Sequence, residues 1–394
     1  MNIYILAVQP FPYGMAATNR IISYCKGFVE LGYYVKVLNI RPTENMDQVV
    51  NNENIFGEYF GINFQYTAKT TIWPKNRLKK LWLLFIGTLN AAWLYLKCGK
   101  NGDVVLSATI NININFIFFI LSYFKRNPFI KVEDEYPIMF IDSKKKYSRI
   151  FTWFYLKFFF KMFDGMIVIS HHLENYYQFK VRKKTPILVV PMTVEPERFR
   201  LQRNPSEDYI AYCGYIGGSK DGIPILIDAF KIFVQFHKNI KLYLIGFTNN
   251  DEELIQIKNQ IQSNDLSNDV ILTGRISRDE IPSYLCNAKA LVLSRPANKQ
   301  AEGGFPTKLG EYLATGLPVI VTSVGDIPIY LKDNVNAFIS EPGSPSSFAN
   351  KLIAVFNNYE NSLRVGQEGQ KLVYSTFNYL VQAKNMIQLI NTIL

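Results

Sequence analysis

The chain has 394 residues, 48% of them hydrophobic, with 43 Lys and Arg against 32 Asp and Glu for a net charge of +11. That length and apolar content, without a low-complexity tract, exclude a disordered protein and fit two domains with substantial cores. The charge is uneven, 26 basic against 14 acidic side chains in residues 1–200 and 17 against 18 beyond, so an anionic surface or acceptor is expected for the first half, and no basic recognition helix or zinc finger points to nucleic acid.

Met1 to Val8 carries no basic leader and meets Gln9-Pro10 after a short apolar run. This predicts a first strand over 3–8 and a mature start at Met1 rather than a signal peptide. Cys25, Cys98, Cys213 and Cys286 form no Cys-x-x-Cys pair; neither a disulfide framework nor a metal site is expected, and a reducing cytoplasmic setting fits. A loop through Gly14, a helix from about 19 to 31 and a strand over 34–40 follow, the opening of a parallel doubly wound sheet. The loop lacks Gly-x-Gly-x-x-Gly, which argues against a nicotinamide enzyme.

Residues 69–100 place Lys75, Arg77, Lys79, Lys80, Trp82, Trp93 and Lys97 around the uncharged 16-residue run Leu81 to Leu96. The run is shorter than the roughly 20 residues that cross a bilayer, so no spanning helix is predicted. Basic and aromatic residues together suit a membrane interface, and a covering helix of the first sheet with a solvated basic end is the alternative. A second cluster, Lys144, Lys145, Lys146, Arg149, Trp153, Tyr155, Lys157 and Lys161, favours an anionic membrane surface as partner.

Strands over 103–108 and 129–132 come next, the latter running into Glu133-Asp134-Glu135. Carboxylates at a strand's C-terminal end sit where open α/β sheets hold ligands; a solvated acidic turn is the alternative. Ser170 ends a strand, and the adjacent His171 and His172 point to different helix faces, which suits a cap region better than a metal. A hinge is expected over 200–208.

The second half opens with a strand, Tyr209 to Cys213, then a glycine-rich loop from Gly214 through Tyr215 and Lys220 to Gly222, and a helix whose apolar face holds Leu226, Ala229, Phe230 and Phe233. Such a loop with one lysine can cradle a phosphate. Strands over 241–245, 270–274 and 290–294 follow; Arg295 reads equally as a phosphate or sugar contact and as a salt-bridge partner. In residues 302–321, Gly303 and Gly304 permit close backbone approach to a ligand, and Pro306-Thr307 opens a helix with a cap, an anion site at a helix start. Leu309, Tyr312 and Leu313 make its buried face, Gly316 ends it, and 318–321 is a buried strand. Glu311, four residues after Thr307, leans back toward the loop, where a carboxylate would accept hydroxyl hydrogen bonds. The expected ligand has both a phosphate and a sugar.

The stretch from Glu302 to Glu311 resembles the donor-site signature of retaining GT-B glycosyltransferases of the family-four type, and the order of elements extends the resemblance over essentially the whole chain. It implies two Rossmann-like α/β domains facing across a cleft: an acceptor domain over 1–200, a nucleotide-sugar domain over 201–375, and a C-terminal helix over 376–394 crossing back to the first. Glu311 matches the second signature glutamate, which binds ribose; Gly303 occupies the position of the first, with Glu302 one place out. Phe305-Pro306-Thr307-Lys308 resembles a subgroup variant. By the same resemblance Gly14 faces the donor diphosphate, although a plain turn glycine is the alternative, and Asp134 matches the acidic half of a His-Asp pair near the transferred sugar, with Glu133 in the histidine's place. Tyr215 stands where the family carries an arginine, Lys220 matches the lysine, and the backbone after Gly274, at Arg275 and Ile276, would read the base.

The function so implied is retaining, metal-independent transfer of a sugar from a nucleoside diphosphate to a saccharide or lipid-linked acceptor, in bacterial surface polysaccharide assembly at the cytoplasmic face of the membrane. No cofactor beyond the donor substrate is expected. A nucleotide-sugar 2-epimerase and a catalytically silent binding or scaffold protein are the alternatives, the latter motivated by Tyr215 and the displaced Glu302.

Overall fold

A computed structural model describes residues 1–45, 50–137, 152–153, 155–218 and 220–394. The basic cluster from Lys144 to Arg149 lies outside the described residues. The chain forms two compact units, Met1–Thr193 with Tyr379–Leu394, and Val194–Asn378.

Runs of buried aliphatic residues such as Val104-Val105-Leu106 read as strands covered on both faces, which is what a parallel sheet with crossover helices requires. The first unit accordingly holds β1 (Asn2–Ala7), β2 (Tyr34–Asn39), β3 (Phe56–Tyr59), β4 (Ile62–Tyr66), β5 (Val104–Ser107), β6 (Phe129–Glu133), β7 (Gly165–Val168) and β8 (Ile187–Val189). Their order is β3-β4-β2-β1-β5-β6-β7-β8. Pairing is parallel except between β3 and β4. That hairpin departs from the all-parallel expectation and turns at Phe60 and Gly61, both at positive φ (51° and 76°), the geometry of a tight hairpin whose twist matches its strands.

The two faces of β1 meet different helices. Ile3 and Ile5 share a core with Ile21, Ile22 and Phe28 of α1 (Ala16–Glu30) and with Met386 and Ile390 of the C-terminal helix Tyr379–Ile393. Tyr4 points the other way, its ring 5.3 Å from that of Tyr95 in α2 (Arg77–Cys98), and Tyr95 in turn lies 5.7 Å from Phe118 in α3 (Ile112–Lys125). Asn76 caps α2 by accepting from the amides of Leu78 and Lys79. The helix is seated by polar contacts: Thr67 Oγ1 donates to the Gly87 carbonyl at 2.7 Å, and Asn90 Nδ2 to the Thr67 carbonyl at 2.8 Å. At 22 residues α2 is long and apolar enough to cross a membrane by length and composition. The 16-residue apolar run set it too short, because the charged residues at both ends are good helix formers that extend it.

The second unit is a six-stranded parallel sheet of β9 (Tyr209–Cys213), β10 (Lys241–Ile245), β11 (Val270–Gly274), β12 (Ala290–Leu293), β13 (Val319–Thr322) and β14 (Phe338–Ser340), ordered β11-β10-β9-β12-β13-β14. Its boundary falls after Thr193, ahead of the expected hinge, because Pro196–Phe199 packs as a short turn in this unit, where the Cys286 thiol donates to the Phe199 carbonyl at 3.4 Å. The C-terminal helix expected over 376–394 spans Tyr379–Ile393 and follows a separate helix, Tyr359–Tyr374. Between them Phe377 is buried and its carbonyl accepts from the Val194 amide at 2.9 Å. In each sheet the order reverses beside the first strand, at β1/β5 and β9/β12, where two loops diverge and a crevice opens.

Gly27 in α1 has no room for a side chain: a Cβ would stand 2.4 Å from that of Ala383 and 3.0 Å from the Tyr379 carbonyl. Gly27→Val is expected to cost about 1–3 kcal/mol by forcing the C-terminal helix off α1, read as a lower urea midpoint together with earlier proteolysis within residues 379–394.

Candidate functional site

At the β9/β12 crevice the chain leaves β9 through the glycine-rich loop and leaves β12 toward the helix Thr307–Ala314. Glycine is required where these loops touch. A Cβ on Gly222 (φ 66°) would lie 2.2 Å from the Ser294 carbonyl, and one on Gly214 would lie 2.2 Å from Lys308 Nζ. Ser294 Oγ donates to the Gly222 carbonyl at 2.9 Å. The Cys213 amide donates to the Tyr312 hydroxyl at 2.7 Å, holding the end of β9 on the helix that follows β12.

Beneath Gly214 lies a buried ionic group. Lys308 Nζ pairs with Asp221 Oδ2 and donates to the Tyr212 hydroxyl at 2.8 Å, while that hydroxyl donates to the same Asp221 oxygen at 2.8 Å. Arg295 Nε stands 3.5 Å from Asp221 Oδ1. Burial alone would raise the Asp221 carboxyl, but the Lys308 ammonium and its hydrogen bond, with Arg295 and Tyr212 behind them, bring it below its ordinary range. Burial, and then the Asp221 charge, push the Tyr212 hydroxyl well up. Of the two readings of Arg295 from sequence, the geometry is that of the ion pair, since its side chain is 1% exposed.

Glu311 sits on the same helix with 23% of its side chain exposed and Arg198 Nη1 3.3 Å from its Oε1. Arg198 also donates to the Arg278 carbonyl at 2.9 Å, and Arg278 pairs with Glu195 at 3.2 Å. Burial raises the Glu311 carboxyl above its ordinary value, although Arg198, Arg278 and Lys308 pull it down. In this group the cations Arg198, Arg278, Arg295 and Lys308 face the carboxylates Glu195, Asp221 and Glu311, an excess of positive charge that favours an anion. Lys220 is exposed on the loop above them.

The signature stretch is built differently from the sequence expectation. Glu302 and Gly303 belong to a short helix, Lys299–Gly303, capped by Asn298, whose Oδ1 accepts from the Ala301 amide at 2.9 Å. Glu302 is exposed and Gly304 half-buried. Phe305 is 4% exposed, its ring among Tyr330 and Phe377, so its side chain is core and only its backbone borders the loop. Thr307 is the first helical residue rather than a cap; Pro306 holds the cap position and provides no side-chain bond. Tyr215, in the family arginine's place, accepts from Thr248 Oγ1 at 2.9 Å and pins the loop to the residues after β10. Arg275 lies over the Phe247 ring at 3.9 Å, and Ile276 follows it half-buried.

The first-unit candidates stand at its own sheet. Gly14 is exposed in the loop after β1, braced by Thr18, whose hydroxyl donates to the Pro10 carbonyl at 2.7 Å, and by Asn52, which accepts from the Tyr13 amide at 2.9 Å. The acidic run after β6 is not an open carboxylate cluster. Glu133 is buried against Lys131 Nζ at 2.8 Å, and Asp134 meets Arg20 Nη1 at 2.6 Å. Burial raises the Glu133 carboxyl, opposed by Lys131 and reinforced by Asp134 and Glu135. Sequence reasoning missed Arg20, Lys131, Arg198, Arg278 and the ionic role of Lys308. Only Lys308, inside the signature stretch, had a local signal.

Residues 193–372 match the family described as Glycosyl transferases group 1. The amylovoran biosynthesis glycosyltransferase AmsK of Erwinia amylovora is 27% identical over 209 residues, 52% of this chain and 50% of that protein. The lipopolysaccharide 1,2-N-acetylglucosaminetransferase of Salmonella typhimurium is 24% identical over 229 residues, 54% of this chain and 58% of its own length. The chain thus spans about half the length of the curated relatives it matches. The likeness in fold extends over the whole length: HepE of Anabaena, solved in complex with UDP, superposes with a TM-score of 0.72 over 100% of both chains at 14% identity. Residues 193–372 therefore belong to the Glycosyl transferases group 1 family, in a chain that has the GT-B fold.

Proposed function

We propose that this chain transfers a sugar, with retention of configuration and without a metal, from a nucleoside diphosphate sugar to a saccharide or lipid-linked saccharide acceptor. The reading includes bacterial surface polysaccharide assembly as its setting and the cytoplasmic face of an anionic membrane as its location. The observation that carries it is the meeting, at one crevice of the second unit, of a glycine-rich loop, a helix start without a side-chain cap, and Glu311 among Arg198 and Arg278. The names of AmsK and of the Salmonella enzyme support the polysaccharide setting, and the UDP held by HepE supports the donor class.

Departure of the sugar leaves negative charge on the diphosphate. The start of the helix Thr307–Ala314 and Lys220 stabilise that charge, while the Lys308–Asp221 tie keeps the loop that carries Lys220 against the helix. Glu311, as carboxylate, accepts hydrogen bonds from the ribose hydroxyls. In the first unit Asp134 and Glu133 are each held in place by a buried cation, Arg20 and Lys131. No covalent nucleophile is assigned.

A thermal-shift screen of nucleoside diphosphates and their sugars is expected to find one stabilising series, unaffected by EDTA and lost in Glu311→Ala. Because burial raises the Glu311 carboxyl, that stabilisation fades with falling pH at a higher pH than an ordinary glutamate would give. Lys220→Ala is expected to slow turnover about a hundredfold; near-normal turnover would remove Lys220 from the chemistry. Asp221 is depressed, so it stabilises the fold above its unfolded pKa of 3.8 and loses that contribution as pH falls toward its folded value. Asp221→Asn, which leaves two buried cations poorly compensated, is expected to cost about 3 kcal/mol at neutral pH, with the difference from wild type narrowing in urea titrations taken below that pKa.

A further inference from the structure

The sequence left open whether residues 69–100 cover the sheet or face a membrane. The structure separates the two roles by helix face. Toward the sheet α2 presents Gly87, Thr88, Ala91 and Tyr95, all buried. A Cβ on Gly87 would stand 1.9 Å from the Ile40 carbonyl, so the helix backbone lies directly on the sheet's loops. Outward it presents Leu78, Trp82, Phe85, Leu89, Trp93 and Leu96, with Trp82 60% and Trp93 58% exposed. At about 100° per residue these fall within one arc of about 80°. Apart from Tyr95, the face toward the protein is made of small residues, while these large apolar ones face away.

α3 buries Ile114 and Phe118 yet also turns large apolar side chains outward: Phe116, Ile120, Tyr123 and Phe124 are exposed, Phe124 at 78%. The two helices join at their C-terminal ends, where Lys125 Nζ donates to the Leu96 carbonyl at 3.0 Å and to that of Gly99 at 2.7 Å. Their outward residues exceed the scattered exposed apolar side chains of an ordinary surface.

Charge selects the occupant. No Asp or Glu occurs between Lys69 and Gly102, or within α3. Arg77, Lys79 and Lys80 stand at one end of α2 and Lys97 at the other, its ammonium 5.0 Å from the Trp93 ring centroid. Tryptophan with lysines that reach past it is the composition of a lipid headgroup boundary. A second copy of this chain, pairing the same face about a two-fold axis, would bring these basic rims together.

We infer that the outward faces of α2 and α3 form a docking surface for an anionic phospholipid bilayer, with both helices lying in the plane of the headgroups rather than crossing. A crossing helix meets lipid around its whole circumference, whereas the inner face of α2 is fixed to the sheet by Thr67, Asn90 and the Gly87 contact. The inference gives the membrane part of the proposed function its surface and is independent of the transfer chemistry.

The experiment is co-sedimentation of the full chain with phosphatidylcholine vesicles, with and without phosphatidylglycerol, alongside tryptophan emission. Expected is binding to the phosphatidylglycerol vesicles that weakens with salt, with a blue shift of the emission. The double variant Trp82→Ser and Trp93→Ser is expected to weaken binding about tenfold or more, and Lys79→Glu with Lys97→Glu to remove the preference for phosphatidylglycerol. The substituted side chains are exposed, so circular dichroism and nucleotide-induced thermal shifts should stay at wild-type values. Those shifts separate this proposal from the transfer reading: loss of vesicle binding with intact nucleotide response touches only the membrane surface. Wild-type protein remaining in the supernatant, binding indifferent to both double variants, or a dimer in sedimentation velocity that the tryptophan variants dissociate would overturn the inference, the last in favour of a protein partner.

Discussion

A single ammonium group, that of Lys308, holds the second unit's crevice in shape. It reaches from the first turn of a helix to a carboxylate in the glycine-rich loop, joining two segments that leave adjacent strands in divergent directions. An ion pair at this depth contributes little net stability, because the desolvation of both groups offsets their attraction. Its effect is geometric: with Tyr212 and Arg295 also on Asp221, the carboxylate has one place to be, and the loop goes with it. The glycines follow from the same constraint, since a side chain at Gly214 would take the space of the ammonium.

The first unit handles buried charge in the same way at its own sheet. Lys131 and Arg20 are almost wholly buried, and each meets an acidic residue at the end of β6. What reads in sequence as a run of three carboxylates is therefore partly neutralised from within, and a ligand there would meet ordered carboxylates with fixed partners rather than a diffuse negative patch. Burial raises the Glu133 carboxyl above its ordinary value, and the Lys131 ammonium opposes that shift.

Much of the architecture was legible because parallel strands buried on both faces leave uninterrupted apolar runs, and because glycine and proline mark the loops between them. The doubly wound sheets, the strand before the glycine-rich loop and the helix after Pro306 all carry such local marks. The β3–β4 hairpin escaped because Phe60, rather than Asn or Asp, occupies the left-handed turn position. The unit boundary escaped because Pro196–Phe199 looks like linker and owes its place to packing. In the crevice the glycines, Lys220 and Glu311 stood out by spacing. Arg198 and Arg278 did not, because their importance lies in a partner 113 or 83 residues away. Arg295 and Phe305 lie where a ligand contact would be sought, yet burial assigns both to the interior. The apolar run of α2 was visible from the start, but which side of the helix met the protein was a tertiary fact.

The helix Tyr379–Ile393 is the last element of the chain and part of the first unit's core. Synthesis runs from the N-terminus, so the eight-stranded sheet can assemble while the face covered by Met386 and Ile390 still lacks its cover. That apolar surface stays open until residues 379–393 leave the ribosome, after the whole of the second unit. The first unit is thus begun before the second and completed after it, and a chain cut between the two at about residue 378 would leave the first with an exposed core, a substrate for chaperones and proteases.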